Sequence, residues 1–230
     1  MAHDSEPGKA SPGELVLKPT GSEFTFQGLA PSIIGSGVDP NTGDRTLSVA
    51  DPMVRSESRL APDGLLSVTV QGGGSIGRQG EARAMDVLSQ RLRDEGHSVT
   101  TLPAADHKGE DGVVVVDEAR FTVQLVTTPQ APEFWREAHL GSAMTQVQIS
   151  QATDWLRNSI DDKASTTPPQ QRPTTILAID ARHVGVLGSP AVVTHYTSRF
   201  PEPSLEFRFA SVWIVGPLAE HCARIGIGTP

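Results

Sequence analysis

Between Asp111 and Val126 the chain spells out a pair of strands, and that pair restricts what the rest can fold into. Asp111-Gly112 opens the run Val113-Val114-Val115-Val116, apolar and β-branched throughout. A run that is apolar on both sides of the pleat predicts a strand covered on both faces. Asp117-Glu118-Ala119 interrupts it, and a second strand follows. There Phe121, Val123 and Leu125 share one face, and Thr122, Gln124 and Val126 share the other. Gln124 is therefore a polar group on an inner strand, where it costs free energy unless it is paired.

The residues before this pair predict a helix and a short strand. From Gln79 to Glu95, Met85, Leu88 and Leu92 recur at helical spacing, with Ala84 and Val87 widening the stripe. Glu81 lies in the first turn, one turn ahead of Met85, and Gly96 ends the helix. His97–Leu102 reads as a strand, and Ala104–Glu110, which contains Lys108, reads as a polar loop. Upstream, Leu65, Leu66, Val68 and Val70 mark a strand that runs into Gly72-Gly73-Gly74-Ser75-Ile76-Gly77. That loop fits G-x-G-x-x-G between strand and helix, which is the dinucleotide-binding context. A Rossmann unit then needs another helical crossover, whereas two strands joined by a tight turn follow here. No acid closes the second strand, since Asp106 lies beyond Pro103.

Downstream, Pro132–Leu140 and Ser150–Ala164 predict helices, the latter with Ala152, Trp155, Leu156 and Ile160 on one stripe. Thr166–Pro173 is a proline-rich loop that no helix can cross. Thr175–Asp180 predicts a buried strand that leaves through Asp180-Ala181-Arg182-His183 in a surface turn. Ser189-Pro190 starts a helix as N-cap and N1, running to about Phe200. Ser211–Val215 is a last buried strand, stopped by Gly216-Pro217. The alternation predicts one α/β domain over 61–230, a mixed central sheet of five or six strands flanked by helices. Residues 1–60, rich in Gly, Pro, Ser and Asp, read as an extended or partly disordered arm: a passive leader, or a segment that lies over the domain or reaches a protein partner.

Composition removes several function classes. A formal net charge of −8 supplies no global basic field for nucleic acid, so such a role needs a local cation or a metal. The lone cysteine, Cys222, excludes an intrachain disulfide framework and suits a reducing, cytoplasmic setting. No apolar run reaches the ~20 residues of a membrane span. His195, His221 and Cys222 lack metal-ligand spacing, and neither a P-loop nor a G-x-S-x-G elbow occurs.

The order helix acid, strand, strand acid, strand over residues 79–128 resembles the core of the PD-(D/E)XK nuclease superfamily, the restriction-endonuclease-like fold. In that family a helix acid, a strand acid and the acid of a following D/E-x-K hold a divalent metal, and the lysine activates or stabilises the attacking water. Residue by residue, Glu81 falls at the helix acid, Asp111 at the strand acid and Gln124 at the third ligand. Val126 falls where the lysine stands in the family. Lys108 and Arg136 are the nearby cations that could replace it. The resemblance implies a Mg²⁺- or Mn²⁺-dependent phosphodiester hydrolase acting on nucleic acid, with Glu81, Asp111 and Gln124 converging on the ion. The alternative it implies is the same fold with a decayed site, serving as a nucleic-acid- or protein-binding module. A dinucleotide-binding protein using Gly72–Gly77 is a third reading.

Overall fold

The computed structural model describes residues 32–50, 54–72, 78–102 and 111–226. In chain order it runs β1 (Ser32–Val38), β2 (Arg45–Ala50), β3 (Arg55–Leu60), β4 (Leu65–Gln71) and α1 (Arg78–Asp94). There follow β5 (Val99–Leu102), β6 (Gly112–Val116), β7 (Ala119–Thr127), α2 (Pro132–Leu140), β8 (Ser142–Gln148) and α3 (Ile149–Thr166). The chain closes with β9 (Thr175–Asp180), α4 (Pro190–Arg199), α5 (Pro203–Phe207), β10 (Ser211–Val215) and β11 (Ala223–Arg224).

Two sheets result where one was expected. The six-stranded sheet has the order β11-β10-β9-β7-β6-β5. It is mixed: β7, β9 and β10 are parallel, and β5, β6 and β11 pair antiparallel. The parallel pairs need crossovers, which α3 and α4 provide. The buried valine run occupies β6 as the sequence predicts, and all of β9 and β10 is buried, as strands covered on both faces must be.

Side-chain alternation decides what each face meets. Val114, Val116, Val123, Leu125, Ile176, Ala178, Trp213 and Val215 pack with Ala84, Met85, Leu88 and Leu92 of α1. Val126, Leu177, Ile179, Val212 and Ile214 point the other way, into a larger cluster with Leu156 and Ile160 of α3 and Val192 and Tyr196 of α4.

The second sheet, β1-β2-β3-β4-β8, is antiparallel. It corrects the expected boundary at residue 60: Leu47, Val49, Leu60, Leu66, Val68 and Val70 all join that larger cluster. Residues 32–50 and 54–60 are thus part of the domain and not a separate arm, while 1–31 and 51–53 lie outside the described residues. Strand β4, expected in the central sheet, belongs here too, and β8 is a strand the sequence reading did not contain. Ser58 joins the sheet to the turn after β9, accepting from Val186 N at 3.3 Å. A side chain on Gly185 in that turn would collide with Leu47.

The hairpin between β6 and β7 is tighter than expected. Only Asp117 and Glu118 form the turn, with φ of 48° and 72°, as a primed two-residue turn that matches strand twist requires. Asp117 also shortens β5 at its start, because its carboxylate accepts from Ser98 N at 2.9 Å and bonds His97 Nδ1 at 2.6 Å. Among the described residues, no helix is long and apolar enough to cross a membrane.

Candidate functional site

Helix α1 brings Glu81 in its first turn, half-buried, to the sheet end where β6 begins. The approach is close because Gly112 has no side chain: a Cβ there would lie 2.5 Å from Met85 Cε and 2.8 Å from its sulfur. Met85 is one turn beyond Glu81, and Asp111 immediately precedes Gly112. The helix acid and the strand acid therefore belong to the same end of α1, Glu81 one turn before the methionine that Gly112 meets.

Asp111 already has a structural partner. Its Oδ2 accepts from the backbone amide of Leu125 at 2.6 Å, and its own amide donates to Val123 O at 3.1 Å. The carboxylate thus continues the β6–β7 ladder past the point where β6 has begun. Replacing it by alanine strands that amide, and the expected loss is about 1–3 kcal/mol. Asp111→Asn, which keeps a carbonyl oxygen for Leu125, is expected to lose less. Chemical denaturation of the two variants checks this. In a crowded acid cluster the order would differ, since removing a carboxylate charge there relieves repulsion and Asn would stabilise.

Gln124 is turned away from α1, the helix that carries Glu81, contrary to the expected convergence of the two. It lies on the face opposite Leu125, and its Oε1 accepts from Thr167 Oγ1 at 2.6 Å. Thr167 is the C-cap residue of α3, so the polar group on this inner strand is paired by the end of the crossover helix. The alternation that identifies Gln124 as inward-facing also sends it away from α1. The β7 residues on the α1 side include Phe121, Val123 and Leu125, none of which supplies a carboxylate. Val126 is buried in the α3-side cluster. Arg136 is exposed on α2, which packs against β8 and β4, in the other sheet. Lys108 and residues 73–77 of the glycine loop lie outside the described residues. Among the described residues, no three His, Cys, Asp or Glu side chains are grouped to hold a metal ion.

The turn after β9 is buried instead of lying at the surface. Asp180 and Arg182 are each 7% exposed. Arg182 donates through Nε and Nη2 to the two carboxylate oxygens of Asp180, both at 2.8 Å, and its amide donates to Oδ1 at 3.1 Å. The same turn fastens its neighbours, since Thr128 N donates to Asp180 O and Ala181 N to Val215 O. The carboxyl ends of all three parallel strands are thereby tied together. His183 stands edge-on to Trp135 with centroids 6.1 Å apart, and Trp135 Nε1 donates to Pro129 O at 2.8 Å. With both carboxylate oxygens committed to one guanidinium, this cluster is a strut between strand ends.

The remaining candidates are structural as well. Burial pushes the Cys222 thiol up to about 11, which removes the thiolate a nucleophile needs at neutral pH. Burial also holds His221 below the usual imidazole range. His195 Nδ1 lies 3.3 Å from Thr153 Oγ1 in the α3–α4 seam. Thr167, the partner of Gln124, carries no signal of that contact in the sequence; its position before Pro168-Pro169 marks a helix end but says nothing of β7. No family model, curated protein or solved structure matches this chain.

Proposed function

We propose that this chain is a binding module on a restriction-endonuclease-like core, with no phosphodiester-hydrolysing centre. The placement of Gln124 carries the reading. Glu81 stands in the first turn of α1, and Asp111 has one oxygen committed to Leu125 N. The third ligand position is turned to the opposite face and bonded to Thr167. Two acids and a leucine do not provide the charge and ligand number on which Mg²⁺-assisted hydrolysis depends. The order α1, β5, β6, β7, then α3 and β9 after the intervening α2 and β8, with β5-β6-β7-β9 adjacent in the sheet, supports the nuclease-like core itself. A net charge of −8 favours a protein partner over nucleic acid.

That same topology favours the hydrolase as the second reading. One experiment separates the two: incubation of single- and double-stranded DNA and RNA with Mn²⁺ and the wild type, Glu81→Ala or Asp111→Ala. Equal background traces from all three proteins are expected. Metal-dependent cleavage lost in both variants would restore the hydrolase.

A further inference from the structure

The fold guards most of its sheet edges and leaves one unguarded. In the mixed sheet the edge strands are short, four residues in β5 and two in β11. At one edge of the antiparallel sheet, β1 has a register shift between Ile33 and Gly35, the kind of irregularity that blunts an edge. The other edge is β8, Ser142-Ala143-Met144-Thr145-Gln146-Val147-Gln148, with seven residues, a continuous register, no charge and no proline. Among the described residues nothing pairs with its far side.

The bonds at its two ends show which backbone groups face outward. Ile149 N donates to Gly64 O at 2.7 Å, and Gly72 N donates to Gly141 O at 3.3 Å. Hydrogen-bonded pairs alternate along an antiparallel ladder. Within the observed register these are Leu66–Val147, Val68–Thr145 and Val70–Ala143. The N–H and C=O groups of Ser142, Met144 and Gln146 consequently point away from β4. Their side chains stand on the sheet's outer face and are exposed, Met144 to 65%.

We propose that β8 is a self-association edge, on which a second copy lays its own β8 antiparallel across a two-fold axis through Met144. The register is self-complementary. Met144 faces Met144 of the second copy and Ser142 faces Gln146, so these three outward-pointing residues find hydrogen-bonded partners, two bonds to a pair, while Gln148 already gives its amide to Gln151 Oε1. The cross-strand neighbours are then an apolar pair flanked by polar pairs, the kind of contact that stabilises a sheet. The register selects the occupant: a second β8 sets methionine against methionine and polar side chains against polar ones, and it brings no charge to the seam.

Sedimentation velocity of the full chain over a range of concentrations tests this. The mass is expected to rise with concentration from 24.4 kDa towards twice that value. Gln146→Pro removes one outward donor without touching a backbone bond to β4, giving up only the exposed bond from its Nε2 to Ser67 Oγ at 3.2 Å, and edge positions of this kind tolerate proline. Met144→Lys places like charges face to face at the axis, on a side chain already in solvent. Each variant is expected to stay monomeric at every concentration with an unchanged melting curve, while Ser48→Lys, on the same face but far from the edge, dimerises as wild type does. A wild type that is monomeric throughout, or a dimer that survives both edge variants, overturns the proposal. So does a dimer abolished by Ser48→Lys, which would indicate stacking of sheet faces.

Discussion

Replacing Arg182 by alanine is expected to destabilise the protein by about 3–5 kcal/mol, a drop of roughly 6–20 °C in melting temperature for a chain of this size. The reason is what remains behind. Asp180 is 7% exposed and directs both oxygens to the Arg182 side chain. Without the guanidinium, a carboxylate stays buried among strand ends with, among the described residues, only the backbone amide at position 182 donating to it. The chain must then take up a proton or open the turn, and opening it frees the Thr128–Asp180 and Ala181–Val215 bonds as well. Taking away both charges should be far milder, because a buried ion pair roughly balances its own desolvation. Asp180→Leu with Arg182→Met is therefore expected near wild-type stability. Urea denaturation of the two single variants and the double variant closes the cycle. A single-variant loss below about 1 kcal/mol, the size of a surface pair, would show that water reaches the turn and screens it.

Trp213→Ala is expected to cost about 3–5 kcal/mol, through lost transfer energy together with a cavity. Trp213 is 1% exposed in the layer under α1, donates from Nε1 to Ser211 Oγ at 3.0 Å, and has the Arg224 guanidinium 5.8 Å from its ring centre. Collapse around the truncated side chain is poor, because the strands on either side are fixed by ladder bonds. A small apolar crevice lined by Leu92, Val116, Phe121 and Ile176 already borders the ring, so the truncation enlarges an existing packing gap. Trp213→Phe keeps most of the volume and should lose about 0.5–1.5 kcal/mol for the hydrogen bond plus a smaller cavity term. Thermal melts of the two variants test the ranking, and an equal loss in both would mean that the hydrogen bond, not the volume, dominates.

The central sheet was legible because its strands are buried on both faces and so appear as unbroken apolar runs: Val113–Val116, Thr175–Asp180 and Ser211–Val215. The antiparallel sheet was not, because its inner positions are partly filled by small polar residues. β3 reads Arg-Ser-Glu-Ser-Arg-Leu, yet Ser56 and Ser58 are buried. In β8 the buried residue is an alanine, Ala143. A period of two is present in both strands but has no hydrophobic contrast to reveal it. The candidate site shows a different limit. Alternation along β7 correctly separates Gln124 from Leu125, but strand periodicity cannot tell which face a distant helix will cover. That choice is made by the crossover that brings Thr167 under Gln124, a contact spanning 43 positions.

The placement of β8 has a consequence for where this chain could ever be divided. β4 and β8 lie side by side from Leu65–Gln148 to Gln71–Ser142, while α1 and the three strands after it are threaded between them in sequence. A cut anywhere in that insert leaves one piece holding four strands of the antiparallel sheet and the other holding the fifth. A piece beginning at α1 would keep the helix–strand order of the mixed sheet but leave β8 with two bare sides in place of one. The two sheets are spliced, so a lineage that gains or sheds one of them must do so together with the strand that completes it.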